Sequence, residues 1–512
     1  LFFDLIIDEY IIKPIEMILE FDIFLEDRCE VRVECDGHVT TAIRGKIDGI
    51  QRMPSSIIDH VHSFAAVEKR DVYVLVVSSQ DENVVIRDIR LNGTSLMGKP
   101  SNLSNACRYP LTTNQYDQEE TLLLCQHIAS GKKLTMDVMV QKFEKEFAAR
   151  VGAPYAVMVN SGSSANLLAC ALLTNFLFSK KLSPGDEVLV PAVCWSTSVW
   201  PILQVGLRPV FVDVRPETLN IDEDDLVRKI TSRTRALMLV HVMGNCANMD
   251  RILKIVESHP MLLIEDTCES LGSIYRNQWL GTFGLCGTYS FYYSHHMTTI
   301  EGGMVVCHDP AVHDLLLSLR AHGWTRQCSE ATQQQYEKQF PAIDSRYMFY
   351  NEGYNVRPMD IQGLLGRIQL RKLEAMNETR VRNYNRFRAL IETDPLLSTI
   401  LRFPQEQEHA RAAWFGICLF VTEQYVQHVP SLKKTLTEQS VENRPIITGN
   451  FARQPFFQLH PDYKDNTNDS LFPKADLVDQ SGLYIGLPCD DWTQEDVVGL
   501  VSIFSEFFRF GG

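Results

Sequence analysis

The stretch Ser290 to Gly303, S-F-Y-Y-S-H-H-M-T-T-I-E-G-G, links two short apolar runs through a polar turn carrying His295 and His296. An imidazole presented on such a turn can carry protons near neutral pH. A surface or packing pair is the plainer reading, and the two histidines alone do not decide. A second stretch, Asn160-Ser161-Gly162-Ser163-Ser164-Ala165-Asn166, follows an apolar run and opens a helix-length segment. Its glycine and hydroxyl residues can bring N–H and O–H groups together on a phosphate, or can simply cap the helix. On the loop alone these readings stand level. A third, Leu262-Leu263-Ile264-Glu265-Asp266-Thr267-Cys268-Glu269, delivers acids at the end of an apolar strand. A carboxylate there needs a partner, because burying it alone is costly. Trp195, in the segment Pro191 to Trp195 after another strand, reads by default as a core aromatic. Asp36, His38 and Asp48 could form a metal or sugar site, but turn chemistry explains them better.

The elements that must position these residues fall into three regions. Residues 1–105 carry period-two runs at Glu30–Cys35, Val39–Arg44, Val72–Val77 and Val84–Leu91, broken by Asp36-Gly37 and Asn92-Gly93. That pattern predicts a small β-sandwich or barrel, an accessory domain with no catalytic constellation. A Ser-, Asn- and Pro-rich linker follows at Met97 to Asn114. Asp117 with Glu120 then reads as an N-cap and its capping box, with Gly131 closing the helix. A second helix follows Thr135, with Met136, Val140, Phe143 and Phe147 on one face. From Tyr155 onward, short apolar runs at 155–160, 187–190, 209–214, 236–242 and 261–265 alternate with helix-length segments. This predicts a mainly parallel sheet wrapped by helices, with ligands at the carboxyl ends of its strands. The expected domains are 1–105, 110–385 and a smaller α+β domain at 386–512, with a helix near 360–392 between the last two.

Composition excludes some classes. A formal charge of −15 argues against nucleic-acid binding as a main activity. The thirteen cysteines show no C-x-x-C pair, which suggests a reduced, cytoplasmic setting. Asp4, Asp8 and Glu9 interrupt the apolar start, so neither a signal peptide nor a membrane span is expected. The chain opens on Leu1 rather than Met, so an earlier true start is expected.

Four motifs, in order, resemble the DegT/DnrJ/EryC1/StrS family of sugar aminotransferases and dehydratases, which use pyridoxal 5'-phosphate (PLP). The resemblance covers about 110–512. It implies an α/β large domain of PLP fold type I, like aspartate aminotransferase, with a smaller α+β C-terminal domain. Ser163 and Ser164 match the family's phosphate loop, and Ser290 is a further phosphate contact. Trp195 stands where an aromatic stacks on the cofactor ring, and Asp266 where an acid pairs with the pyridinium nitrogen. Glu269 replaces the usual Gln, so the resemblance puts it near the ring hydroxyl, with a second acid–base role open. Gly353-Tyr354-Asn355-Val356-Arg357 matches a motif whose Asn reaches the neighbouring subunit's cofactor phosphate, implying a homodimer with shared sites. Arg357 and Arg444 are candidates for the glutamate carboxylates.

The family's S-F-x-x-x-K-N-x-x-x-x-E-G-G has lysine where this chain has His295. Lysine anchors PLP covalently and shuttles the proton; imidazole cannot anchor it, but can shuttle. The same replacement marks the family's sugar 3-dehydratase branch, closest here to the enzymes acting on GDP-4-keto-6-deoxymannose in colitose synthesis. By resemblance, glutamate converts PLP to pyridoxamine 5'-phosphate. His295 then assists loss of the C3 hydroxyl from a nucleotide-linked 4-keto-6-deoxyhexose. An amino-sugar product is the alternative within the family, and a non-catalytic sugar-nucleotide sensor the alternative outside it. No metal is expected. In particular, Cys268, Cys286, Cys307 and Cys328 lack the close pair an iron–sulfur cluster would need.

Overall fold

The computed structural model describes residues 107–463 and 471–511 and, within the first 106 residues, the backbone of seven strands. The chain divides into Leu1–Leu103 and Ser104–Gly512, with the break inside the Ser- and Asn-rich stretch. In the first unit, Cys29–Cys35 pairs antiparallel with His38–Gly45 across Asp36-Gly37, and with Val84–Val85 and Ile89–Leu91. Val61–Lys69, not expected from the sequence, forms a separate hairpin with Val72–Ser79. The side chains of Asp36, His38 and Asp48 lie outside the described residues.

The second unit is built on seven strands: β1 (Tyr155–Val159), β2 (Glu187–Pro191), β3 (Arg208–Val212), β4 (Thr234–Val240), β5 (Leu262–Asp266), β6 (Cys286–Ser290) and β7 (Gly303–Cys307). Their order is β3-β2-β4-β5-β6-β7-β1. Only β7 runs against its neighbours, so the expected mainly parallel sheet is mixed at one place. All residues of β2, β6 and β7 are buried. That is why β7 and the interior of β2 read as continuous apolar runs rather than alternating ones, since helices cover both faces.

Four helices matter to the site: α1 (Gln118–Ala129), α2 (Val138–Val151), α3 (Gly162–Thr174) and α4 (Asp360–Thr393). The Asp117/Glu120 capping box opens α1, as the sequence predicts. On α2, Val140, Phe143 and Phe147 are fully buried. Phe143 lies 5.3 Å from Phe291 and Phe147 lies 5.0 Å from Tyr289, ring centre to ring centre. Each such ring contributes roughly 1.5–3 kcal/mol by leaving water. These contacts fix the end of β6, where the histidine turn begins.

The α4 helix runs straight through the expected domain boundary at 385/386. Its first half packs on the large domain. Its second half sends Tyr384, Phe387 and Ile391 into the core of the small one. That small domain holds a four-stranded antiparallel sheet, ordered Leu401–Arg402, Ile417–Val421, Gly482–Ile485, Asn443–Arg444. Among the described residues no helix is long and apolar enough to cross a membrane.

Candidate active site

The carboxyl ends of β1, β2, β4, β5 and β6 face one side of the sheet, and the sequence-predicted residues gather there. At the end of β1, Ser161 caps α3, its Oγ accepting from the Ser164 N–H at 3.1 Å. Ser163 Oγ donates to Thr197 Oγ1 at 3.2 Å. Position 162 must be glycine: a Cβ there would stand 2.5 Å from the Ser290 Cβ. The helix start and the end of β6 are therefore pressed together. Gly303 meets the same constraint, since its Cβ would lie 2.4 Å from the Ser161 carbonyl oxygen. The result is a cluster of serine hydroxyls at the positive end of a helix dipole, a ready anion cradle. The Asn160 N–H donates to the Val356 carbonyl at 3.0 Å, bringing the Gly353–Arg357 loop beside this cradle. Asn355 is exposed there, and its side chain makes no hydrogen bond among the described residues.

Asp266 ends β5 and is 4% exposed. Its Oδ2 accepts from Asn166 Nδ2 and Ser198 Oγ, both at 2.8 Å, and its Oδ1 from the Cys268 N–H at 3.2 Å. Asn166 is itself oriented by Thr288 Oγ1, which donates to its Oδ1 at 2.6 Å. Three neutral donors hold this carboxylate, and among the described residues no cation pairs with it. A buried carboxylate of that kind is set up to meet a positive charge brought by a ligand. Neighbouring Glu265 points the opposite way, as strand alternation requires. It accepts from the Gly281, Phe283 and Gly284 N–H groups at 2.8, 2.7 and 2.8 Å.

Trp195 corrects the default reading as a core residue. It is 54% exposed, on the loop after β2, because the strand end delivers it to the open side of the sheet.

Glu269 accepts from the Met243 N–H at 3.0 Å. Met243 holds φ 54°, a left-handed conformation rare for a non-glycine residue, which aims its N–H at the carboxylate. Burial, reinforced by Asp266 and opposed by the Met243 bond, pushes the Glu269 carboxyl from 4.5 up to about 7. Between those values the folded chain keeps a proton that the unfolded chain has lost. This group's contribution to stability therefore falls as pH rises through that window. The cofactor-free protein is expected to lose Tm more steeply between pH 5 and 7 than Glu269→Gln does. Equal slopes in a thermal melt series would remove the effect.

His295 lies in the turn after β6. Its Nδ1 is 2.7 Å from the Cys268 carbonyl oxygen, which can only accept, so Nδ1 carries the proton. That leaves Nε2 as a bare lone pair, without a hydrogen-bond partner among the described residues. Burial, with a further push from Arg380, drives the imidazole down to about 4 against the pull of the Cys268 carbonyl and Asp266. The ring is thus neutral over the physiological range. Phe415 packs edge-on to it at 5.0 Å, and the Phe415 N–H donates to the Met243 carbonyl at 3.0 Å. Met243 therefore ties the Glu269 loop to the wall behind His295. The second histidine is structural: His296 is buried, its Nε2 2.9 Å from the Ala413 carbonyl oxygen.

Sequence reasoning missed Ser198, Met243, Phe415, Gln115 and Arg380, and it quoted Asn166 without giving it a task. Of the two arginine candidates, Arg444 pairs with Glu442 at 3.4 Å, whereas Arg357 makes no ion pair or hydrogen bond among the described residues. No group of three His, Cys, Asp or Glu able to hold a metal ion occurs among the described residues.

A sequence model of the DegT/DnrJ/EryC1/StrS aminotransferase family matches residues 115–497. The chain belongs to that family. Among curated DegT/DnrJ/EryC1/StrS-like relatives, it is 39% identical over 378 residues to GDP-4-keto-6-deoxy-D-mannose 3-dehydratase of Yersinia pseudotuberculosis, covering 74% of this chain and 93% of that protein. A solved Escherichia coli GDP-4-keto-6-deoxy-D-mannose-3-dehydratase with bound hydrated PLP is 35% identical. It superposes with a TM-score of 0.68 over 78% of this chain and 99% of that one. A GDP-4-keto-6-deoxymannose-3-dehydratase structure with a trapped PLP-glutamate geminal diamine matches at 35% identity and TM-score 0.68, over 77% of this chain and 99% of that one. Family membership accounts for the fold of residues 104–512 and for the order of the motifs at the strand ends.

Proposed function

We propose that this protein is a PLP-dependent 3-dehydratase of nucleotide-linked 4-keto-6-deoxyhexoses, acting on GDP-4-keto-6-deoxymannose with glutamate as amine donor. The observation that carries the reading is His295: an imidazole with Nδ1 tied to the Cys268 carbonyl and Nε2 bare, where the family has its anchoring lysine. The residues present fit PLP. Asp266 offers a buried carboxylate with no cation paired to it among the described residues, Trp195 an exposed aromatic face, and Ser163, Ser164 and Ser290 a phosphate cradle. When bound, PLP supplies an aldehyde that accepts the amino group of glutamate and a pyridinium ring that stores an electron pair.

The chain's own part follows from its geometry. With PLP bound, Asp266 would keep the ring nitrogen protonated, Trp195 would offer its face to the ring, and Glu269, protonated below about pH 7, would donate a hydrogen bond to the ring oxygen. Nε2 of His295 takes and returns the proton whose removal drives departure of the C3 hydroxyl. Asn355, exposed and with no side-chain hydrogen bond among the described residues, reaches the cofactor phosphate of a second subunit, so the working unit is a homodimer. A cytoplasmic setting belongs to the same reading, supported by the free thiols of all eleven described cysteines.

Product analysis tests this. With PLP, glutamate and GDP-4-keto-6-deoxymannose, the expected sugar product is lighter by one oxygen, with ammonia and 2-oxoglutarate released in equal amounts. A sugar that gains nitrogen would make the protein an aminotransferase, and no turnover would defeat the proposal.

A further inference from the structure

Arg380 is buried within α4, 3% exposed, and no carboxylate pairs with it among the described residues. All its recorded bonds go to main-chain carbonyls. Nη2 donates to His295 at 3.1 Å, Nη1 to His296 at 2.9 Å and Nε to Leu487 at 3.1 Å. Gln115, from the segment before α1, donates through Nε2 to the same His295 carbonyl at 2.7 Å. A guanidinium presents its donors in a rigid planar fork. One such fork therefore fixes two successive carbonyls of the histidine turn and joins them to the segment before the final helix. Nothing about bulk packing calls for an arginine here, since burying an unneutralised cation is costly.

We propose that Arg380 is a positioning residue for proton transfer: by clamping the carbonyls of His295, His296 and Leu487, it fixes where His295 Nε2 points. The proposal rests on His295 being the proton carrier. The clamp and the Nδ1 bond to Cys268 are complementary. The first sets the main chain of residue 295, the second sets the rotation of its ring. A misplacement of about 1 Å at a reacting group can cost about a hundredfold in rate.

Arg380 also brings charge. The groups facing the imidazole are Asp266 from β5, Arg380 from α4, His296 beside it and Tyr292 across the turn; Phe415 supplies an apolar wall. Of these, Arg380 is the cation, and it opposes protonation of the ring while Asp266 favours it.

Two substitutions separate clamp from charge. Arg380→Lys keeps a cation but loses the fork; Arg380→Gln loses both. Both are read in the PLP-loaded full chain by kcat–pH profiles, by KM for the sugar, and by NMR of 13C-labelled histidine, with His295→Asn assigning the His295 signal. Arg380→Lys is expected to lower kcat about tenfold to a hundredfold at nearly constant KM and to move the His295 signal, leaving the acid limb in place. Arg380→Gln is expected to do the same and to shift the acid limb upward by about half a pH unit or more. If Arg380→Gln does not fold, Arg380→Lys alone decides. Unchanged kcat, or a fall in kcat with the His295 signal unmoved, overturns the proposal. Full turnover in His295→Asn would instead remove the proton-carrier reading, a separate failure.

Discussion

Replacing His295 by asparagine is expected to cut turnover about 10²–10⁴-fold, the range for removing a general acid–base, while PLP still binds. The substitution suits the question because asparagine can place its amide N–H near the position of Nδ1. The bond to the Cys268 carbonyl then survives, and only Nε2 is deleted. Neither the Arg380 clamp nor the Gln115 bond involves the side chain of residue 295, since both act on its carbonyl. The cradle at Ser163, Ser164 and Ser290, the carboxylate of Asp266 and the face of Trp195 are likewise untouched. Cofactor affinity, read by fluorescence or absorbance titration, is expected to stay within a few-fold of the parent. Turnover within twofold of the parent would take His295 out of the chemistry.

Asp266→Asn is expected to weaken PLP binding and to lower kcat by about 10²–10³-fold, the cost of deleting one preorganised electrostatic stabiliser. Two physical effects add. The negative charge that matches a pyridinium is lost. In addition, every neighbour of the carboxylate is a donor: Asn166 Nδ2, Ser198 Oγ and the Cys268 N–H. An amide must turn its own N–H toward one of them, leaving a donor unmatched at a cost of about 1–3 kcal/mol. Asn166 cannot simply flip to relieve this, because its Oδ1 already accepts from Thr288. Activity and affinity measured across the same PLP concentrations separate the two losses. Unchanged affinity together with unchanged kcat would contradict the role given to Asp266.

Much of the site is legible because it sits where regular structure ends. Asp266 and Ser290 stand at strand ends and Ser163 and Ser164 open a helix, so the pattern marks their places while the resemblance supplies their roles. Trp195 shows the limit of that logic. A tryptophan after a strand is usually core, and nothing in its neighbours announces that this strand end leaves the ring exposed. Arg380 is harder still. It lies inside a 34-residue helix and reaches the histidine turn 84 and 85 positions earlier, a separation that no local pattern encodes. Met243 is invisible for a different reason, since its task depends on a left-handed backbone that its residue type does not favour. The stretch near 385 carries no break in its pattern because α4 serves both cores with one uninterrupted helical period. The reversal of β7 is hidden because a buried antiparallel strand is as apolar as its parallel neighbours.

In the proposed function, residue 295 occupies the seat from which a lysine would anchor the cofactor, and histidine leaves the cofactor unanchored. Borohydride reduction of the PLP-loaded protein, followed by intact mass under denaturing conditions, addresses this for the parent and for His295→Lys together. The expected result is an unmodified parent chain and a His295→Lys chain heavier by one reduced cofactor, attached at residue 295. A covalent adduct in the parent, or none in His295→Lys with PLP demonstrably bound, would contradict it.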